Sequence, residues 1–253
     1  MDKCSELRNT VLEMCIKAGT GHVTSCFSCV EIMVELFYNT MADDDVFILS
    51  KGQASPLMYA ILADKGLIDE GELWKFATKD GVLGVHLDHH IPGAVITAGS
   101  LGHGLGIATG IAKAKKLDGE PGTVYCLLGD GECYEGSVWE AAMYAGNEGL
   151  DNLVAIIDQN GLMVTEKTRR LDNVWESFGW SEHLIKGNSL DDIHSSFYAN
   201  WNNPEERRKP LAIIALTTKG KGIPFMENVA LWHGKAPQGE DAERARQELK
   251  GGK

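Results

Sequence analysis

Apolar runs alternate with amphipathic stretches through the second half of the chain. Runs at 124–128, 153–157 and 211–216 predict buried strands, and a weaker one lies at 184–185. Helical periodicity predicts helices over 136–144, 189–198 and 241–250, the second opened by Ser189 as N-cap. Repeated strand–helix units with apolar strands indicate a parallel sheet covered by helices on both faces.

The first half is more helical and then loses its periodicity. A strand is predicted at 46–49, and helices at 7–18, 29–37, 55–63, 71–77 and 106–117. Between 82 and 110 the pattern gives way to Gly and His, and a long irregular stretch of this kind is typical of a functional site. We found neither an internal repeat nor a shift in composition. The prediction is one doubly wound α/β domain over residues 1–253.

Composition and charge exclude several classes of protein. The chain has 253 residues, 43% of them hydrophobic, with 24 basic and 36 acidic residues and a net charge of −12. This balance disfavours nucleic acid and anionic membrane partners, so a bound phosphate would need backbone amides or a metal. The sequence shows no signal peptide and no apolar run of about 18 residues, which predicts a cytoplasmic protein.

The cysteines are predicted to be free thiols. There are six, and Cys126 lies within an apolar run. Cys26 and Cys29 form a C-x-x-C pair, but no second pair follows, so zinc or redox chemistry is the less favoured alternative.

Polar residues follow two of the predicted strands. Asp130 stands between two glycines after one strand, and Asn160 follows the next. Alone, the first motif is an ordinary Asp-Gly turn. Because ligands bind beyond the carboxyl ends of parallel strands, Asp130, Asn160 and the carbonyl of Leu162 are predicted to supply three oxygens to Mg²⁺, with diphosphate oxygens and water completing the octahedron.

These paired strand ends resemble those of thiamine diphosphate enzymes. The stretch 129–160 resembles transketolases in particular, and so do AGTGH at 18–22, ILSKG at 48–52, IPG at 91–93 with TAGSLGHG at 97–104, TTKGKG at 217–222 and WHGKA at 232–236. The resemblance runs in family order from about residue 5 to 250. It corresponds to the first, diphosphate-binding domain of a transketolase.

The resemblance implies a role for each matching residue. Thiamine diphosphate would be bound by Gly99, Leu101, Gly129, Asp130, Gly131, Glu132, Asn160, Lys219 and His233. Mg²⁺, or Ca²⁺ or Mn²⁺ in its place, would be held by Asp130, Asn160 and Leu162. Catalysis would involve His22, His86, His103 and His233, and the substrate would contact His22, Gln53 and His86. Glu135 and Glu140 would lie at a subunit interface.

The sequence departs from the family on the substrate side. Transketolases usually have Gly-His-Ala where this chain has Gly52-Gln53-Ala54, and glutamine cannot shuttle protons near neutral pH. His89 and His90 lie beside His86 without the spacing of metal ligands, and we interpret them as solvated loop residues.

The family also places part of its machinery outside this region. A glutamate that activates the cofactor belongs to a pyrimidine-binding domain, and nothing here resembles that domain or the C-terminal one. The chain is either a fragment or the N-terminal subunit of a split transketolase, and the start at Met1 and the final helix favour a complete subunit. We therefore expect transfer of a two-carbon ketol unit from a ketose, phosphorylated or similarly anionic, to an aldose. A C-terminal subunit would be required, in a heterotetramer.

Three alternatives remain open. Another enzyme of the same superfamily, such as a deoxyxylulose-phosphate synthase or a dihydroxyacetone synthase, would share these motifs. A non-catalytic paralogue that binds the cofactor and regulates a partner is favoured only by Gln53. A nicotinamide dehydrogenase is weaker, because no G-x-G-x-x-G follows the first strand.

Overall fold

Five parallel strands form the centre of the protein. The computed structural model describes residues 2–163 and 167–251, without the side chains of Trp201 and Arg207. The strands are β1 (Val46–Leu49), β2 (Val124–Gly129), β3 (Leu153–Gln159), β4 (Ser181–Lys186) and β5 (Leu211–Leu216). They pair in the order β1-β2-β3-β5-β4, every pairing being parallel. The predicted parallel α/β sheet is confirmed.

Helices cover both faces of this sheet. They are α1 (Lys3–Ala18), α2 (Val23–Ser28), α3 (Val30–Glu35), α4 (Ser55–Asp64), α5 (Glu70–Leu73), α6 (Gly104–Asp118), α7 (Gly136–Asn147), α8 (Leu190–Asn202) and α9 (Glu240–Gly251). Alternate residues of each central strand point to opposite faces: Leu127 and Ile156 pack in the core with α1–α4, whereas Cys126 and Ala155 pack with α6 and α7. Both faces of the central strands are therefore apolar. None of the helices in the described ranges is long and apolar enough to cross a membrane.

The register of the strands determines which ends meet. Gly129 of β2 pairs with Asp158 of β3, and Asp158 pairs with Ala215 of β5. The loops after β2, β3 and β5 therefore begin side by side at one edge of the sheet. Asp130 and Asn160 lie on two of these loops and Lys219 on the third.

Two predicted helices differ from the structure. The helix expected over 29–37 begins earlier, breaks at Cys29 and ends in a π-turn at Leu36–Thr40. The break occurs where side chains from elsewhere in the chain form hydrogen bonds with carbonyls of α2: Lys51 donates to Ser25 O and Arg8 to Phe27 O. The helix expected over 71–77 covers only Glu70–Leu73, and Ala77 adopts a left-handed φ of 53°. Tertiary contacts override local periodicity at the first of these places, and the left-handed Ala77 is incompatible with a continued helix at the second.

Candidate active site

A cleft opens at the carboxyl edge of the sheet. Its lining residues come from α2, from the loops after β1, β2, β3 and β5, and from the segment before α6: Ser25, Lys51, Gln53, Leu101, Gly129, Asp130, Gly131, Glu132, Asn160, Leu162, Met163, Lys219 and His233. Ten of the residues predicted from the sequence to form a site therefore line one cavity. This is the position at which parallel α/β sheets bind ligands.

Asp130 is a buried residue of the cleft lining and accepts three hydrogen bonds. Its Oδ1 accepts the N–H of Gly131 at 2.9 Å, and its Oδ2 accepts the N–H of Gly161 at 2.7 Å and the Thr168 hydroxyl at 2.5 Å. Burial raises the pKa of the Asp130 carboxyl, and the Thr168 hydrogen bond opposes that effect. The bond to Gly161 ties the loop after β2 to the loop that carries Asn160.

Asn160, Leu162 and Lys219 form the neighbouring part of the cleft. Asn160 Oδ1 accepts the N–H of Leu162 at 3.2 Å, and the Lys219 ammonium donates to the Leu162 carbonyl at 3.0 Å. A cation thus already contacts one of the three expected metal-binding oxygens. Burial, followed by repulsion from Lys51, lowers the pKa of Lys219 to about 8.

The oxygen atoms of Asp130, Asn160 and Leu162 fit a hard cation. A carboxylate, an amide oxygen and a backbone carbonyl are oxygen ligands of the kind that Mg²⁺ and Ca²⁺ prefer. Asp130 and Asn160 have exposed fractions of only 2% and 8%. Buried carboxylate charge needs a compensating cation, so the residues present suit a bound divalent ion.

Lys51 and Asp158 form a buried ion pair that the sequence did not reveal as part of a site. Their side chains are 5% and 0% exposed. Burial is the largest single effect and would lower the pKa of Lys51, but Asp158 together with other neighbouring groups outweighs it, so the pKa is raised. Lys51 lies in the ILSKG motif and Asp158 begins the DQN motif. The two positions are far apart in the sequence, so no local pattern indicates that the side chains pair.

Glu132 connects three of the segments that line the cleft. Its carboxylate accepts the Ser50 hydroxyl at 2.5 Å, the N–H of Gly102 at 2.9 Å and the N–H of Gly129 at 3.2 Å. It is 2% exposed, and burial raises its pKa while the Ser50 hydrogen bond opposes the increase. These bonds connect the end of β1, the end of β2 and the segment before α6, so the contacts of Glu132 are structural.

Three histidines lie together at one end of the cleft, where His233 belongs to the lining and His22 and His86 lie beyond it. The ring centroid of His22 lies 5.5 Å from that of His86 and 5.7 Å from that of His233. Burial, with repulsion from His86 and His233, lowers the pKa of His22 to about 4, and burial next to Lys219 lowers the pKa of His233 to about 4. Both rings are therefore neutral at pH 7. The resting rings therefore add no charge to the cleft, and each offers one N–H donor and one acceptor nitrogen to a ligand.

The nitrogens of these rings differ in their partners. His86 Nδ1 lies 3.0 Å from the carbonyl of Gly52, which fixes that nitrogen as the donor, and His233 Nδ1 lies 3.1 Å from the Lys219 ammonium. His22 Nδ1 is buried and has no hydrogen-bond partner among the described residues. An unpartnered buried nitrogen is unusual, and it marks a place where a ligand could bind.

The remaining predicted residues lie around this centre. Gly99 packs close to His86, where an added Cβ would lie 3.4 Å from the ring, and its φ of 123° suits glycine. His103 is exposed at the N-terminus of α6, outside the lining of the cleft. Glu135 and Glu140 are also exposed, at the start and on the surface of α7.

The cysteines are free, as expected, and the loop histidines are exposed, as expected, although the fold brings them closer together than their spacing indicated. All six thiols are free and buried. His89 and His90 are exposed and, with Asp88, are the one group in the described part of the chain whose His, Cys or carboxylate atoms are close enough to share a metal. Their ring nitrogens are hydrogen-bonded to Thr97 and Asp88.

Comparison with known proteins adds independent information. A family model described as "Transketolase, thiamine diphosphate binding domain" matches residues 2–251. Transketolase-like protein 2 from Bos taurus is 40% identical over 250 residues, which cover 92% of this chain and 40% of that protein. A crystal structure of transketolase from Campylobacter jejuni superimposes with a TM-score of 0.86 at 28% identity, covering 99% of this chain and 43% of that one.

A shorter relative matches almost from end to end. It is one of the subunits of the apulose-4-phosphate transketolase of Phocaeicola vulgatus, and it is 35% identical over 258 residues, covering 96% of this chain and 90% of that protein. By contrast, the chain spans about two fifths of the length of the longer transketolases above.

Proposed function

The chain belongs to the transketolase family, through its thiamine diphosphate-binding domain, and we propose that it binds thiamine diphosphate and a divalent cation in this cleft. In an assembled enzyme it would contribute to transfer of a two-carbon ketol unit from a ketose to an aldose. The observation that carries the proposal is the meeting of Asp130, Asn160, the Leu162 carbonyl and Lys219 at one edge of the sheet.

The anionic half of the cofactor is matched by these residues. Asp130, Asn160 and Leu162 would hold Mg²⁺, or Ca²⁺ or Mn²⁺ in its place, and the ion would supply positive charge to offset that of the diphosphate. Lys219 would move from the Leu162 carbonyl towards the phosphate oxygens. This arrangement accommodates a diphosphate in a chain whose net charge is −12.

The histidines would act near the part of the cofactor at which the substrate reacts. Thiamine diphosphate, when bound, supplies the electron sink for cleavage of the carbon–carbon bond. His22, with its free Nδ1, and His86, with Nδ1 fixed by Gly52, would exchange protons with substrate hydroxyl and carbonyl groups. His233 would hold the Lys219 ammonium in place, and Gln53 would contact the substrate.

We propose that a second polypeptide, carrying a pyrimidine-binding domain, completes the enzyme as a heterotetramer. The end-to-end match with one separate chain of the Phocaeicola vulgatus transketolase supports this arrangement. So do four large apolar side chains on α6, on α7 and in the turn before α7, which are Ile107, Tyr134, Met143 and Tyr144, each at least 41% exposed. The donor ketose would carry phosphate or a similar anion.

The cytoplasmic location remains a prediction, to be tested by cell fractionation.

Calorimetry would test the cofactor site. We expect thiamine diphosphate to bind with Mg²⁺ present and to lose at least a hundredfold in affinity after chelation with EDTA. Asp130→Asn should reproduce that loss, because it removes a ligand charge, whereas Asp151→Asn on the exposed surface should bind normally. Equal binding with and without the metal would contradict the metal site.

Activity measurements would test the rest. The purified chain should be inactive alone and should become active on addition of the C-terminal subunit. Full turnover by the chain alone would overturn the two-subunit proposal. Release of CO₂ from pyruvate would favour the synthase alternative. Binding of the cofactor without turnover in the complex would favour the regulatory paralogue, the alternative for which Gln53 is the supporting feature.

A further inference from the structure

A network of buried polar groups lies around the Lys51–Asp158 ion pair at the floor of the cleft. Besides its contact with Asp158, the Lys51 ammonium donates to the Ser25 carbonyl at 2.8 Å and to Ser28 Oγ at 3.1 Å. The Asp158 carboxylate accepts the hydroxyls of Ser28 and Thr217. Five residues from four separate segments are thus joined: α2, the loop after β1, the end of β3 and the loop after β5.

The path of the lysine side chain explains how distant strands are connected. Lys51 follows β1, and its partner lies on β3, with β2 between them. The aliphatic stem passes the end of β2 at Gly129, where an added Cβ would lie 3.6 Å from Lys51 Cγ and 3.7 Å from Cδ. The side chain therefore passes the strand end from which Asp130 emerges.

Each connected segment also carries a residue of the proposed cofactor site. Asp158 precedes Asn160 by two positions, and Thr217 precedes Lys219 by two. Ser25 and Lys51 line the cleft themselves. The N–H of Thr217 donates to the carbonyl of Gln159 at 3.2 Å, which links the two loops directly.

Stability gives only a weak reason for such a pair. Transferring two charges out of water costs several kcal/mol, and apolar replacements of buried ion pairs are often neutral or stabilising. The geometric consequence is more specific, since an ion pair with satisfied hydrogen bonds permits one arrangement of the segments that share it.

We propose that the Lys51–Asp158 pair is a positioning element for cofactor binding. It holds the loop 159–162 and the loop 217–220 against Asp130, so that the oxygen ligands and Lys219 are in place before a cation and a diphosphate arrive. Preorganisation of this kind raises affinity by reducing the ordering required on binding. This inference rests on the proposed function.

The decisive variant removes both charges. K51M/D158N leaves no unpaired buried charge, so the fold should be retained. In the cofactor-free chain we expect at least tenfold faster hydrogen exchange at the amides of Gly161, Leu162 and Thr217, with exchange in α7 unchanged. Calorimetry with thiamine diphosphate and Mg²⁺ should show at least a tenfold loss of affinity.

Two further variants complete the experiment. T217V removes one hydroxyl donor to Asp158 while keeping both charges and the side-chain shape, and should accelerate exchange in the same loops several-fold. K113M breaks an exposed Lys–Glu pair and should change neither measurement.

The outcomes are distinct. Wild-type exchange in the loops of the double variant, or equal acceleration in the loops and in α7, would overturn the positioning role. Failure of the wild-type chain to bind thiamine diphosphate would count against the proposed function, whereas the exchange data would still decide the role of the ion pair.

Discussion

The two sides of the cleft differ in how their polar groups are satisfied. On the anchoring side, defined by Lys51, Asp130, Glu132 and Asp158, buried charged groups are satisfied by protein hydrogen bonds or by each other. On the histidine side, defined by His22, His86 and His233, the rings are close together, and His22 Nδ1 is buried without a partner in the described part of the chain.

The difference follows from the cost of burying charge. A buried carboxylate or ammonium needs an opposite charge or several hydrogen bonds to stay charged, whereas an imidazole is already neutral after a modest fall in its pKa. Burial lowers the pKa values of His22 and His233 to about 4, so both rings remain neutral at pH 7. The anchoring side can therefore form within this chain, while the histidine side keeps proton-exchanging groups available for a ligand.

Removing Glu132 should have the largest effect and would test whether the anchoring side is structural. Glu132→Ala leaves the donors of Ser50, Gly102 and Gly129 buried without their acceptor. We expect the free energy of unfolding to fall by about 2–4 kcal/mol, measured by urea denaturation. For Glu135→Ala, at an exposed position, the free energy of unfolding should lie within about 0.5 kcal/mol of the wild-type value. Similar values for the two variants would contradict the comparison.

Changing His22 should have a large effect on turnover and a small one on cofactor binding. In the assembled enzyme, His22→Gln is expected to lower kcat about a hundredfold, the typical contribution of a proton-transferring group. The affinity for thiamine diphosphate, measured by calorimetry, should change less than twofold. If affinity and kcat fell together, His22 would belong to the anchoring side instead.

The pH dependence of stability should also reveal the histidine side. The pKa of His22 is about 4 in the folded chain, and that of an unfolded histidine is about 6.5. Between these values only the unfolded state binds the proton, so His22 favours folding fully above pH 6.5 and progressively less down to pH 4. Allowing for solvent screening, the loss between pH 7 and pH 5 should be about 1 kcal/mol smaller in His22→Gln. Parallel curves for the two proteins would exclude a neutral buried His22.

The smallest effect is expected at Gln53, which lines the cleft. Gln53→His restores the residue usual in transketolases and introduces a group that can be charged in mildly acidic solution. Affinity for thiamine diphosphate should rise about two- to fivefold at pH 6 and stay unchanged at pH 8, because the added charge attracts the diphosphate only when protonated. An equal change at both pH values would indicate shape rather than charge.

Much of the sheet was predictable because its signals are local. The apolar runs predicted β1, β2, β3 and β5 within two residues, and Gly19, with a φ of 69°, ends α1 where the sequence indicated. The helix expected over 29–37 was wrong in its limits, because Lys51 and Arg8 take carbonyls of α2 from other parts of the chain. Hydrogen bonds from such distant side chains cannot be deduced from the spacing of apolar residues along a helix.

The candidate site divides in the same way. Asp130 and Asn160 could be found because each directly follows an apolar strand, and parallel strands deliver their ends to one edge. The pairing of Lys51 with Asp158 and the contact of Thr168 with Asp130 were missed, since they join positions 107 and 38 residues apart. His103 is exposed at the N-terminus of α6, whereas His22 packs against His233 of the cleft lining, although the resemblance implied a catalytic role for both.

The sequence by itself determined the parallel α/β class, the strand ends that carry polar oxygens and the membership of a cofactor-binding family. These properties depend on periodicity and short motifs, which neighbouring residues specify. Only the tertiary structure decided which charges are paired beneath the cleft, which histidines are neutral and which nitrogen lacks a partner. Those properties depend on burial and on distances between remote segments, and a linear pattern contains neither.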